Sequence, residues 1–170
     1  MVTTKKIEGR VWKFGDNINT DIISPPQYME LSIEEASKHA MSTISPDFAK
    51  SVQRGDIMVA GNNFGSGSSR ETSPLTLKHL GVGAIIAKSF ARIFYRNAIN
   101  VGILVVESSE ADRIQDGDQI EIDYHNGFIK NVTKEEMYEC SKIPQHIMDI
   151  INVGGFVSYL KQSKRDYKRR

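Results

Sequence analysis

Apolar residues along this chain fall in short runs, each closed by glycine, asparagine or aspartate. Runs this short read as strands rather than helices. Residues 7–14 alternate loosely and stop at Gly15-Asp16-Asn17, a strong turn signal. Residues 57–60 (Ile-Met-Val-Ala), 84–87 (Ala-Ile-Ile-Ala) and 102–106 (Gly-Ile-Leu-Val-Val) are apolar without alternation, as in strands buried on both faces. Between them the period lengthens to that of helices. Residues 75–80 are amphipathic and end at Gly81; residues 89–97 place Arg92 and Arg96 on one face, apart from Phe90 and Phe94. Strands separated by short helices over residues 57–106 predict an α/β core with parallel pairing.

The flanks carry other patterns. The paired prolines Pro25 and Pro26 exclude regular helix and predict an extended loop over residues 22–29. Ser32 and Glu35 have the capping-box spacing and predict a helix over 32–41, followed by a helical turn within 46–52. Beyond Glu107, Asp116-Gly117-Asp118 and His125-Asn126-Gly127 read as hairpin-type turns around an alternating strand at 119–124, with 128–132 as its partner. Residues 144–153 form a closing helix ended by Gly154-Gly155, continued by 156–160. The tail, residues 161–170, holds six basic residues against one acidic and reads as a solvated, frayed end. A single domain over residues 1–170 is expected.

Composition narrows the classes. With 39% hydrophobic and 25% charged residues, the chain has the balance of a soluble globular protein. A net charge of +1 gives no electrostatic reason to expect nucleic acid or membrane as partner. The apolar runs are too short to span a bilayer, and the first residues lack a signal-peptide core, so the cytoplasm is the expected location. The one cysteine, Cys140, cannot form an internal disulfide or hold a zinc or iron–sulfur site alone, and the four histidines are scattered. Metal chemistry, if any, has to come from another chain.

The densest chemistry lies at residues 61–71, Gly-Asn-Asn-Phe-Gly-Ser-Gly-Ser-Ser-Arg-Glu. Strand, glycine-rich loop and helix start is the arrangement that aims free N–H groups at an anion. Ser68 precedes Glu71 by the capping-box spacing, which places the helix start there. Arg70 adds a fork suited to a carboxylate. The loop lacks the Gly-Lys-Ser/Thr ending of a P-loop, the third glycine of a dinucleotide fingerprint and the Gly-x-Ser-x-Gly of a nucleophile elbow. Two readings fit it equally from spacing alone: a pocket for a small anion, or a solvated loop with an ordinary helix cap.

Three stretches in order distinguish them: Gly-Asp-Asn-Ile-Asn-Thr-Asp at 15–21, the loop at 61–71, and Ala-Lys-Ser-Phe-Ala-Arg-Ile-Phe-Tyr-Arg-Asn at 87–97. Together they resemble the small subunits of aconitase-type hydro-lyases, the 3-isopropylmalate dehydratase and homoaconitase branch, over residues 7–160. The resemblance implies a swivelling β/β/α domain, a large partner subunit carrying a 4Fe-4S cluster, and loss and re-addition of water on a small anionic 2-hydroxy dicarboxylate. It implies Ser68 as the general base, Ser69 and Arg70 as carboxylate ligands, and Asp21 as a carboxylate beside the active site. Asp21 also suits a plain turn-capping role. Arg92 and Arg96 suit carboxylate ligands too, but salt bridges or interface contacts are the preferred expectation for them.

The substrate is set in this family by the loop holding Tyr28, Met29 and Glu30, with Glu30 at the variable position. An anion there repels a third carboxylate, which argues against homoaconitate and citrate. Met29 and Leu31 suit an apolar pocket, yet a glutamate beside an isopropyl group is uncomfortable, so dimethylmalate and citramalate compete with isopropylmalate. A reading of another class is an anion-binding or regulatory module touching RNA through the basic tail, for which aromatic platforms and a basic stripe are missing.

Overall fold

Strand β1 (Ile7–Lys13) organises the sheet because its two ends take different partners. In the computed structural model, which describes residues 6–169, Val11, Trp12 and Lys13 pair in parallel with β2 (Ile57–Ala60). Ile7, Glu8, Gly9 and Arg10 pair antiparallel with β5 (Gln119–Asp123). On the first side β2 continues in parallel to β3 (Ala84–Ala87) and then β4 (Leu104–Glu107). On the other, β5 continues antiparallel to β6 (Phe128–Asn131) and β7 (Glu136–Glu139). The order is β4-β3-β2-β1-β5-β6-β7.

The sheet curls until its outer edges touch. The Ser141 N–H donates to the Glu107 carbonyl at 2.8 Å, the Glu107 N–H to Ser141 Oγ at 3.0 Å, and Ser108 Oγ to the Glu139 carbonyl at 2.6 Å. Strand alternation then divides the core in two. Ile57 and Val59 of β2 join Val11, Ile86, Val106, Ile120 and Ile122 inside the curl. Met58 and Ala60 face the other way, under the helices, with Phe48, Leu77 and Phe94. This two-sided burial is why the parallel strands read as unbroken apolar runs. The polar groups inside are paired: Asn131 Nδ2 donates to Asp118 Oδ2 (2.9 Å) and to the Tyr138 hydroxyl (3.2 Å), which donates to Glu136 Oε2 (2.7 Å).

The expected strands are all present, and β7 is an addition. Helix ends differ more. A helix α1 (Thr20–Ile23), capped by Asn19 Oδ1 on the Ile22 N–H at 2.9 Å, and a 3-10 turn (Pro26–Tyr28) replace the extended loop expected over 22–29. Ser32 caps α2 (Ile33–Ser37) as expected, taking the Glu35 N–H at 3.2 Å, but α2 stops early and the chain reaches Met41 with φ +62°. A short helix α3 (Phe48–Ser51) lies within 46–52.

The helix expected from Ser68 begins later: α4 spans Thr72–His79, with Glu71 as its uncapped N-cap. Pro74 is the reason. A start at Ser68 would put it in the helix interior, where its missing N–H and its ring conflict with the Arg70 carbonyl. Starting at Thr72 puts Pro74 in the first turn, where no N–H is needed. Helix α5 (Arg92–Asn100) likewise starts three residues after Ser89, because Phe90 bridges to Phe64 and the Ala91 N–H donates to the Phe64 carbonyl at 2.9 Å. Helix α6 (Gln145–Asn152) ends as expected, but residues 156–160 do not extend it. Gly154 and Gly155, at φ +90° and +121°, break the chain into a separate α7 (Phe156–Lys168). The tail is thus helical rather than frayed through Lys168, though exposed along residues 161–169. No helix among the described residues is long and apolar enough to cross a membrane.

Candidate active site

Strands β1, β2 and β3 run parallel, so the loops leaving their carboxyl ends emerge on one side, where ligands of α/β sheets gather. The loop after β1 is zipped to the loop after β2 by backbone bonds: Gly61 N–H to Gly15 O (3.1 Å), Asn17 N–H to Asn62 O (2.8 Å), Gly65 N–H to Ile18 O (2.7 Å) and Thr20 N–H to Ser66 O (2.9 Å). Asp16 Oδ1 accepts the Asn62 N–H at 2.6 Å. Asn17 and Asn63 both sit at positive φ (57° and 58°), which asparagine tolerates, and bond side chain to side chain at 3.2 Å. The loop after β3 joins through the Phe64 N–H on the Ser89 carbonyl, 3.0 Å. Phe64 is buried edge-on against Phe90 and Phe94, with centroids at 5.9 and 5.2 Å, and anchors the whole.

These loops enclose a cleft of about 200 Å³ lined by Thr20, Ser68, Ser69, Arg70, Arg92 and Phe94, among others. Ser68 and Ser69 are exposed at it, whereas Arg70 is largely covered. Arg70 Nη1 lies 3.1 Å from Asp21 Oδ1. The approach is close but off-line: Nη1 is buried and has no aligned acceptor, so the contact is an ion pair that leaves hydrogen-bonding capacity unused. Thr20 is 2% exposed, and its Oγ1 also has no partner. Buried polar atoms are seldom left unpaired without a use. Arg92 is exposed and lines the same cleft, and among the described residues no acidic side chain pairs with it or with Arg96. Of the two expectations for these arginines, salt bridges or interface contacts, the first is not met among the described residues.

A second cavity, about 20 Å³, is lined by Ser24, Pro25, Tyr28, Met29, Leu31 and Thr72, among others. Thr20 and Arg70 line the cleft, while Ser24 and Thr72, a few residues on, line the smaller cavity; the two spaces share the same pair of segments. Tyr28 stacks on His39 (3.7 Å, 7° between planes), and Met29 is 49% exposed. Glu30 is exposed and lines neither space. The structure therefore gathers Ser68, Ser69, Arg70 and Asp21, puts Tyr28 and Met29 next door, and leaves Glu30 outside. Thr20 and Asn97 join the cleft without having been singled out for it, and Arg92, weighed as a carboxylate ligand but expected first in salt bridges or interface contacts, joins it too. For Thr20 and Asn97 the only signal was membership of the stretches at 15–21 and 87–97.

The lysines at the ends of β1 and β3 are engaged elsewhere. Lys13 Nζ donates to the Ala111 carbonyl at 2.5 Å, and Lys88 pairs with Asp112 at 3.3 Å. Among the described residues, no group of three or more histidine, cysteine or acidic side chains is placed to hold a metal ion. Burial, and secondarily the charge of Asp123, pushes the Cys140 thiol up to about 11, and this single cysteine cannot supply the set of thiolates that a 4Fe-4S cluster requires. The residues of this chain do not fit a 4Fe-4S cluster.

Known proteins resemble this chain in sequence and in fold. The family model described as the aconitase C-terminal domain matches residues 4–111. The 3-isopropylmalate dehydratase small subunit 1 of Thermotoga maritima is 54% identical over 158 residues, covering 92% of this chain and 95% of that protein. Its Archaeoglobus fulgidus counterpart is 51% identical, covering 90% and 96%. The crystal structure of a 3-isopropylmalate dehydratase from Methanocaldococcus jannaschii superposes with a TM-score of 0.91 at 43% identity, covering 97% of this chain and 99% of that one.

Proposed function

The chain belongs to the aconitase C-terminal domain family, with the swivelling β/β/α fold, and on that premise we propose that it is the small subunit of a hydro-lyase. The reaction is the dehydration and rehydration of a 2-alkylmalate, interconverting 2- and 3-isopropylmalate in leucine biosynthesis in the cytoplasm. Activity requires a large subunit, and the 4Fe-4S cluster belongs to that partner. This chain contributes binding and proton transfer.

The observation that carries this reading is the pairing of an exposed serine, Ser68, with a covered arginine whose Nη1 has no aligned acceptor, in one cleft. Ser68 acts as the base that takes the carbon-bound proton. A serine hydroxyl is a weak base, so the site has to favour its alkoxide. Arg70 and Arg92 supply positive charge there, and a covered site strengthens each such interaction. Ser69 and Arg70 hold a substrate carboxylate, and Asp21 positions the Arg70 guanidinium through the 3.1 Å ion pair. The proton and the carboxylate are thus managed from adjacent residues of one loop.

The alkyl group is read by the smaller cavity, whose lining of Pro25, Tyr28, Met29 and Leu31 is mostly apolar. Glu30, standing outside it, no longer counts against an isopropyl group. The test is an ultraviolet assay for the unsaturated acid, with the chain joined to its co-encoded large subunit bearing a reconstituted cluster. Isopropylmalate is expected to turn over best among isopropylmalate, dimethylmalate, citramalate and homocitrate. Ser68→Ala is expected to abolish turnover with subunit association intact; normal activity in that variant refutes the role of Ser68.

A further inference from the structure

The smaller cavity takes much of its lining from residues 25–31, a segment with few ties to the rest of the molecule. Its backbone bonds run from Tyr28 N–H to Pro25 O (3.1 Å), Met29 N–H to Pro26 O (3.2 Å) and Leu31 N–H to Tyr28 O (3.2 Å), each staying inside the segment. The nearest side-chain hydrogen bonds along the chain are those of Ser24, with Thr76 Oγ1 at 3.2 Å, and Ser32, which accepts the Glu35 N–H at 3.2 Å. Among the described residues, no side chain between these two serines forms another. The chain is pinned again further on. Ala40 and Met41 are buried, and the Met41 N–H donates to the Ile23 carbonyl at 3.2 Å. His39 directly precedes that pair, with its own N–H on the Ala36 carbonyl at 3.0 Å, so its ring stands on a fixed base. The imidazole lies flat against the Tyr28 ring, with centroids 3.7 Å apart and planes 7° from parallel. Tyr28 lines the cavity and His39 does not, so the imidazole supports the ring without entering the space.

We propose that His39 is a positioning residue for the alkyl group of the substrate: it holds the Tyr28 ring as a wall of the smaller cavity. The inference rests on the hydro-lyase reading above and deepens it, adding a residue outside both spaces that governs which alkyl groups are favoured. A branched alkyl group reaches the wall and gains its contacts only while the wall stays in place, whereas a methyl group has less to gain. Because residues 25–31 have only local backbone bonds, loss of the imidazole frees the Tyr28 ring to swing and the 3-10 turn to open. His39 does not line the cleft that holds Ser68, so its loss should weaken binding more than it slows proton transfer.

The experiment compares His39→Ala, His39→Phe and His125→Ala in the assembled enzyme, with isopropylmalate and citramalate as substrates. His39→Ala is expected to raise KM for isopropylmalate about two- to tenfold, the weight of one aromatic pair, with kcat within about twofold. KM for citramalate should move less, so the preference for isopropylmalate narrows. His39→Phe keeps a flat ring and should recover most of that preference. His125, an exposed histidine in the turn between β5 and β6, is the control, and His125→Ala should match the unsubstituted enzyme. An equal loss on both substrates, or none on either, overturns the inference. A second measurement needs no turnover. In the full chain, amide exchange at Tyr28, Met29 and Leu31 should quicken about two- to tenfold in His39→Ala but not in His39→Phe, with β2 and β3 unchanged. Unchanged exchange at those three amides also overturns the inference, since the imidazole would then be holding nothing. If the unsubstituted enzyme turns over no alkylmalate, the hydro-lyase reading fails separately, and the exchange comparison alone decides whether His39 holds the Tyr28 wall.

Discussion

Gly65→Ala is a sensitive probe of the loop that carries Ser68. Gly65 has φ +81°, and a Cβ there would overlap the ring of Phe94, reaching 2.7 Å from Cδ1. Phe94 is 2% exposed and packed edge-on to Phe64, so it has little room to yield. Two costs combine. The left-handed backbone costs alanine about 1–2 kcal/mol, partly offset by about 0.4–1 kcal/mol from a stiffer unfolded chain. Overpacking adds about 1–3 kcal/mol. Gly117→Ala separates the two, because Gly117 has nearly the same φ (+84°) and nothing within 4 Å of the added Cβ. In urea unfolding with a slope of about 2 kcal/mol per molar, Gly117→Ala should lower the midpoint by about 0.5 M and Gly65→Ala by about 1–2 M. The assembled Gly65→Ala enzyme should also lose activity, since Phe94 lines the cleft. Equal midpoint shifts for the two variants would show that the contact with Phe94 has no energetic weight, and the reasoning would fail.

Two further outcomes follow from buried groups. With its thiol pushed to about 11, Cys140 carries about a hundredfold less thiolate at neutral pH than an ordinary cysteine near 9, so alkylation should be slower by that factor and accelerate up to about pH 11. The sign for stability is set by the same shift: native Cys140 favours its proton, so its contribution holds below about pH 9 and is lost as pH rises through 11, and fast alkylation at pH 7 would contradict the burial. Asp56, 6% exposed, accepts the Trp12 Nε1–H and the Gln53 N–H, each at 2.9 Å. Asp56→Ala strands both donors and should cost about 2–4 kcal/mol, read by urea unfolding together with a shift in Trp12 fluorescence; Asp56→Asn should recover part of it.

The parallel half of the sheet was legible because burial on both faces writes an apolar run directly into residues 57–60 and 84–87. Strand β7, Glu-Met-Tyr-Glu, was not, since only Tyr138 turns fully inward and Met137 is 63% exposed. The delayed start of α4 is written in Pro74, which a helix beginning at Ser68 cannot hold in its interior, while the Ser68-to-Glu71 spacing mimics an earlier start. The Ser68-Ser69-Arg70 loop stood out because glycine and serine cluster locally. The places of Thr20 and Arg92 in the cleft did not, because the cleft is assembled by hydrogen bonds between loops such as Asp16 with Asn62, 46 residues apart. Local periodicity carries no record of such pairings. Tyr28, Met29 and Glu30 are consecutive, yet after the 3-10 turn Tyr28 and Met29 line the smaller cavity and Glu30 does not, which no spacing rule conveys.

The central position of β1 also bears on how the molecule comes into being. It leaves the ribosome before β2 and β5, but Arg10 pairs with Gln119, so that edge stays open until more than a hundred further residues have been made. Meanwhile Val11, Trp12 and Lys13 can zip to β2 after fewer than fifty residues. Closing the shorter loop costs less entropy, so the parallel half is the natural nucleus and the antiparallel half condenses onto it. The cleft belongs wholly to that early half, so on this order the loops that line it come together before the curl that encloses the second core is complete.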